Sequence, residues 1–266
     1  MRDPFGRTIT YLRISVTDRC NLRCRYCMPD ECAELLPRER LLSYEEITDV
    51  ARAAADLGFN KVRLTGGEPL VRSGIVDLVK MLSGIGGIDD LSMTTNGVLL
   101  EAYAAPLAEA GLGRVNISLD TVNPERYREL TFGGDLSRVL AGIRAAMQVG
   151  FNPIKLNCVV EKSSDETDAR EVAAYALREG LEVRFIRNMN LEQGEFWVVQ
   201  GGIGGNCELC NRLRLSSDGL VRPCLFSDVG FSVRELGARQ AIIRAIDAKP
   251  ESGEQCRTTT FRRIGG

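Results

Sequence analysis

Between residues 8 and 187, stretches rich in β-branched and aliphatic residues alternate with stretches whose apolar residues recur at helical spacing. The predicted strands are 8–16, 61–65, 91–95, 114–119, 154–160 and 182–187. Predicted helices follow them: one opened by the capping box at Ser43 and Glu46 and ended by Gly58, then 71–82, 99–110, 124–130, 135–149 and 165–179. Strands and helices alternating at this rhythm specify βα units and a parallel sheet. Six strands fit a curved, incomplete barrel better than a closed eight-fold one.

The alternation stops at Met189. Residues 193–205 contain five glycines and no helical period, the composition of a linker or irregular loop. Then come Cys207 and Cys210, a turn at 216–219, Cys224 and a predicted helix over 233–248. The expected organisation is a barrel over 1–190, a linker over 191–206 and a C-terminal region over 207–266.

The chain has 266 residues, a net charge of −2, nine cysteines and no histidine. Lacking histidine, it lacks the commonest general base and the commonest nitrogen ligand, which disfavours hydrolytic zinc chemistry and Ser-His-Asp triads. The charge gives no basic field for nucleic acid. No apolar run approaches the ~18 residues of a membrane span. Clustered cysteines without a signal-peptide pattern predict reduced thiols in a cytoplasmic metalloprotein rather than disulfides.

Directly after the first strand, Cys20, Cys24 and Cys27 are spaced C-x3-C-x2-C. Three thiolates do not complete a tetrahedral zinc site. They do hold three corners of a [4Fe–4S] cluster, leaving the fourth iron open. An open iron beside the aromatic Tyr26 suits chelation and reductive cleavage of S-adenosylmethionine (SAM). Gly66, Gly67, Glu68 and Pro69 lie just past the second strand. Adjacent glycines let a ligand approach the backbone closely, and Glu68 is a candidate acceptor for an ammonium group.

A second set, Cys207, Cys210 and Cys224, is spaced C-x2-C-x13-C. Spacing leaves zinc and iron–sulfur equally open, with no convincing fourth ligand and Cys256, in an unpatterned region, as a candidate. Arg212 and Arg214 alternate between these cysteines, so on a strand they face one side and make a polyanion seat. Arg13, Arg63 and Lys155 lie inside predicted strands, where a charge is costly unless it faces a cavity and a partner. The five together suggest a phosphate-binding cavity built from side chains, because no P-loop is present.

These segments, together with Thr94 in MTTNG, Ser118 in NISLD, IKLN, CELCNRLRLSSDGLVRPCLF and the terminal Gly265-Gly266, resemble the GTP 3′,8-cyclase family of molybdenum cofactor biosynthesis, within the radical SAM enzymes. The resemblance covers nearly the whole chain in order. It implies a partial (β/α)6 radical-SAM barrel with a short C-terminal extension carrying a second cysteine cluster. It implies two [4Fe–4S] clusters, one on Cys20, Cys24 and Cys27 and one on Cys207, Cys210 and Cys224. Tyr26, Gly67, Glu68, Ser118 and Met189 would bind SAM, and Arg13, Arg63, Thr94, Lys155, Arg212 and Arg214 would bind GTP. The Gly265-Gly266 tail would assist catalysis. The implied reaction is abstraction of the ribose 3′-hydrogen of GTP, attack of that carbon on C8 and reduction to 3′,8-cyclo-7,8-dihydro-GTP. A flavodoxin or ferredoxin would donate electrons, cyclic pyranopterin monophosphate synthase would take the product, and the chain would form a homodimer. One departure is an internal shortening: only residues 190–206 separate Met189 from Cys207. Fully extended they span at most ~60 Å, enough to connect the two halves. Two alternatives remain: a radical SAM enzyme with an auxiliary cluster acting on another substrate, and an iron–sulfur protein left catalytically idle by the shortening.

Overall fold

The computed structural model describes residues 1–27, 35–257 and 261–265. Cys32 and Gly266 lie outside the described residues. Six parallel strands are formed by β1 (Tyr11–Ser15), β2 (Lys61–Thr65), β3 (Asp90–Thr95), β4 (Arg114–Ser118), β5 (Ile154–Val160) and β6 (Glu182–Arg187). The helices after them are α1 (Tyr44–Asp56), α2 (Ile75–Ser83), α3 (Leu100–Glu109), α4 (Pro124–Leu130), α5 (Leu136–Gln148) and α6 (Thr167–Glu179).

The sheet does not stop at six strands. Beyond residue 207, β7 (Arg212–Leu215) pairs in parallel with β1, and β8 (Leu220–Arg222) and β9 (Phe231–Ser232) follow in antiparallel. The strand order is β6-β5-β4-β3-β2-β1-β7-β8-β9, open at both ends. The cysteine-bearing C-terminal part is thus attached by main-chain hydrogen bonds to the strand that leads into the first cysteine loop.

Parallel strands covered on both faces usually read as continuous apolar runs. These alternate instead, because only one face is dry. Leu12, Ile14, Val62, Leu64, Met93, Val115, Ile117 and Leu156 are buried, packing with the apolar stripes of the helices in one core. Cys158 belongs to that core. The opposite face carries Tyr11, Arg13, Lys61, Arg63, Arg114, Asn116, Asn157, Arg184, Arg212 and Arg214, all lining one cavity.

Local chemistry sets the element ends. Ser43 accepts from Glu46 N while Glu46 accepts from Ser43 N, the reciprocal capping box expected from the sequence. The helix predicted over 71–82 is instead a short 3-10 turn at Pro69–Val71 followed by α2, because Gly74 sits at φ 76° between them. The helix predicted over 233–248 is broken by Gly237 at φ 77° into α7 (Val233–Leu236) and α8 (Ala238–Asp247).

The segment 190–206 is packed rather than free. Phe185 and Gln200 exchange both main-chain hydrogen bonds at 3.1 Å, which covers the β6 edge. The Arg187 guanidinium lies 3.7 Å above the Trp197 ring. Leu191 joins Leu225, Phe226, Cys256 and Ile264 in a second small core, and Phe196 stacks on Phe226 with ring centroids 4.7 Å apart.

Candidate active site

The first cysteine loop leaves β1 and is tied to the loop after β2. Gly67 N donates to Thr17 O and Glu68 N to Arg19 O, each at 2.8 Å. A Cβ on Gly67 would strike the Arg19 carbonyl, so the contact requires glycine. Cys27 N donates to Cys24 O at 3.0 Å, closing the turn that carries those two thiols. Leu22 N (3.4 Å) and Asn96 Nδ2 (3.7 Å) both point at Cys20 Sγ. Cys20, Cys24 and Cys27 line one cavity of about 190 Å³ with Tyr26, Gly67, Thr94, Ser118 and Met189. Burial holds Cys20 and Cys24 above the usual thiol range. Burial also raises Asp120 to about 6, although the Tyr26 hydroxyl bonds to it.

The second cavity, about 290 Å³, holds Cys207, Cys210 and Cys224 and the basic residues. Register puts Arg63, Arg13 and Arg214 directly abreast on β2, β1 and β7. Lys61, Tyr11 and Arg212 form the next row down. Like charges abreast repel, and here they are also buried. Burial and then Arg214 drive Arg13 well below the usual guanidinium range. Burial and then Arg212 lower Arg214 to about 10. Burial favours a protonated Tyr11 phenol, yet the four arginines around it outweigh that and pull its pKa down. Among the described residues, Arg63, Arg184, Arg212 and Arg214 make no ion pair with a carboxylate. Nε of Arg184 and of Arg212 is buried without a hydrogen-bond partner. Holding like charges buried abreast is costly.

Met189, Ile186 and Asn157 line both cavities, so the two cysteine sets sit at opposite ends of one chamber. The C-terminal tail enters between them. Arg214 Nη1 donates to Gly265 O at 2.5 Å, and a Cβ on Gly265 would collide with Thr65.

Of the expected site residues, Glu68 and Lys155 line neither cavity, and Thr94 lines the other one. The Glu68 carboxylate turns inward, 1% exposed, accepting from Leu70 N, Thr95 Oγ1 and Asn96 N. It braces the loops behind the thiols. Thr94 lines the cysteine cavity rather than the arginine cavity, its buried Oγ1 without a partner. Lys155 lies below the arginine cavity, ion-paired with Glu182 on the neighbouring strand. Residues not singled out from sequence also line the arginine cavity: Lys61, Arg114, Arg184, Asn157 and Lys249. Arg184 satisfies the same criterion as Arg13, a charge in mid-strand at the parity of the cavity face.

The residues fit the implied groups. Three thiols with an unpartnered Thr94 hydroxyl suit an iron–sulfur cluster and a polar cofactor at one end. Among the described residues no three acidic or cysteine side chains converge on a point as around a single metal ion. Thiolates on separate corners of a cluster need not do so. No helix among them is long and apolar enough to cross a membrane.

Comparisons agree with this geometry. The family model described as the Radical SAM superfamily matches residues 14–176, and the chain belongs to that superfamily. In shape it is similar to native anSMEcpe with bound AdoMet (TM-score 0.64, 15% identity, 91% of this chain and 81% of that one). It is also similar to Streptococcus suis SuiB (TM-score 0.57, 21% identity, 69% and 40%). In sequence it is 39% identical over 304 positions to the GTP 3′,8-cyclase of Petrotoga mobilis, covering 95% of this chain and 94% of the relative. It is 40% identical over 299 positions to that of Alkaliphilus oremlandii, covering 94% and 93%. Within the superfamily, the chain is a member of the GTP 3′,8-cyclase family. Both alignments are longer than the 266 residues of the chain, so these relatives carry internal residues with no counterpart here.

Proposed function

We propose that this chain converts GTP to (8S)-3′,8-cyclo-7,8-dihydroguanosine 5′-triphosphate in molybdenum cofactor biosynthesis. The observation that carries the reading is the single chamber with thiols at both ends and a row of buried, like-charged arginines abreast at one of them. SAM, bound at a [4Fe–4S] cluster on Cys20, Cys24 and Cys27, supplies the radical chemistry that activates the ribose 3′ carbon. Gly67 keeps the cluster loop and the β2 loop in contact, Tyr26 and Ser118 flank the cofactor space, and Met189 separates it from the nucleotide space. Arg13, Arg63, Arg212 and Arg214, with Arg184, neutralise the triphosphate. Thr94 and Lys155 act at the margins of that space, and Glu68 holds the loops. Cys207, Cys210 and Cys224 hold a second [4Fe–4S] cluster facing the nucleotide, and the Gly265-Gly266 tail positions the reacting centre.

In this reading residues 1–190 form the barrel, 191–206 the shortened connection and 207–266 the second-cluster region. The enzyme works in the cytoplasm as a homodimer. It takes electrons from a flavodoxin or ferredoxin and passes product to cyclic pyranopterin monophosphate synthase. The test is anaerobic reconstitution followed by SAM, reductant and GTP. The expected result is 5′-deoxyadenosine that rises with GTP, together with cyclised nucleotide. SAM cleavage indifferent to GTP, with no cyclised product, would overturn it.

A further inference from the structure

A buried ammonium beside the second cysteine set has no part in the roles above. Lys249 follows α8 and is 3% exposed. Its Nζ donates to Arg212 O at 2.9 Å and to Pro223 O at 2.7 Å, and it bonds toward the Cys210 thiol. The first carbonyl lies two residues past Cys210 and the second immediately precedes Cys224, so one ammonium ties together the two arms that carry these thiols. Among the described residues it has no carboxylate partner. A buried cation without an anion is costly, and the groups able to supply negative charge beside it are Cys210 and Cys224. The third thiol is held from the other side. Arg7, ion-paired to Asp3 at 2.5 Å, donates to Cys207 O at 2.8 Å, and Ser252 Oγ donates to Cys207 Sγ at 3.6 Å.

We propose that Lys249 is the counter-charge of the second cysteine site: it braces the arms of Cys210 and Cys224 and raises the reduction potential of the iron–sulfur cluster they hold with Cys207. The inference rests on the second-cluster assignment made above. Three thiolates and a [4Fe–4S] core carry net negative charge, and reduction by one electron adds to it. A fixed cation against one thiolate favours both assembly and the reduced form. Lys249 is a positioning residue, and its effect is read on the cluster itself.

The experiment compares Lys249→Met and Lys249→Gln with the unaltered chain after anaerobic reconstitution. It measures iron and sulfide per chain, the electron paramagnetic resonance of each cluster, and the midpoint potential. The unaltered chain is expected to hold about eight irons, four per cluster. Each variant is expected either to fall to about four, with the SAM-responsive cluster retained as proof of folding, or to keep eight with the second potential lowered. That lowering is at least tenfold in the redox equilibrium, about 59 mV for one electron. Eight irons at an unchanged potential in either variant overturns the role of Lys249. Only four irons in the unaltered chain overturns the second-cluster assignment itself, and the inference with it. If Lys249→Met loses both clusters, Lys249→Gln decides, because it keeps hydrogen bonds to the carbonyls without the charge.

Discussion

The nucleotide reading leaves its clearest mark on a single residue at Arg13. It stands between Arg63 and Arg214 in one register row, buried, with its pKa pressed down by burial and by Arg214. Arg13→Met removes the central charge and keeps most of the volume. GTP affinity should fall at least tenfold, about 1.4 kcal/mol. A nucleotide titration checks this, and unchanged GTP affinity contradicts the account. Glu68 offers a second mark, this time in pH. Burial raises it to about 7 against three hydrogen bonds that lower it. The folded state therefore keeps the proton that the unfolded state loses near pH 4.5, so this group's contribution to stability is lost as pH climbs from there to about 7. The loss reaches at most ~3 kcal/mol. Urea midpoints of the unaltered chain relative to Glu68→Gln should decline across that window and level off above it; a flat difference removes the claim. Alternation singled out Arg212 and Arg214 in the sequence, and a charge inside a predicted strand singled out Arg13, Arg63 and Lys155; Arg184 meets that second criterion too. The orientation of Glu68 was not legible, because its three donors come from two loops that only the fold brings together.

At the level of elements, the βα rhythm was readable because each strand and helix carries its own periodicity. Their ends were less so where Gly74 and Gly237 interrupt an otherwise helical pattern. The place of β7 beside β1 had no local signal at all. Four residues, RLRL, pair with a strand 201 positions earlier, and that partner is chosen by the sheet. The junction of the first two loops gives a prediction at this scale. Gly67→Ala forces a methyl into the Arg19 carbonyl, so the β2 loop must move off the cysteine loop. The first cluster should then lose SAM binding while the arginine row, on the strands beneath, retains GTP. Paired SAM and GTP titrations of the reconstituted variant separate the two effects, and equal losses in both refute the division.

For the whole molecule, the decisive arrangement is that three distant parts of the chain meet in one chamber. Arg13 and Thr65 come from the first quarter of the sequence, Arg214 from β7, and Gly265 from the tail. The glycine carbonyl is bound by Arg214 at 2.5 Å, and at φ 69° a Cβ on Gly265 would overlap Thr65. A flexible terminal pair reads in sequence as a frayed end. The contacts of Gly265 show that this residue is held inside, and that it is a glycine because no side chain fits there. Gly265→Ala adds both the Thr65 collision and a left-handed backbone cost of about 1–2 kcal/mol, so the tail should withdraw from Arg214. Nothing in that change touches Cys20, Cys24 or Cys27, and iron content and SAM cleavage should persist. The nucleotide end of the chamber would lose its plug and the fixed position of Arg214, so cyclised product per 5′-deoxyadenosine should fall at least tenfold. Quantifying both products in the same anaerobic reaction tests this. An unchanged ratio means that the tail packs against the chamber without taking part in what happens there.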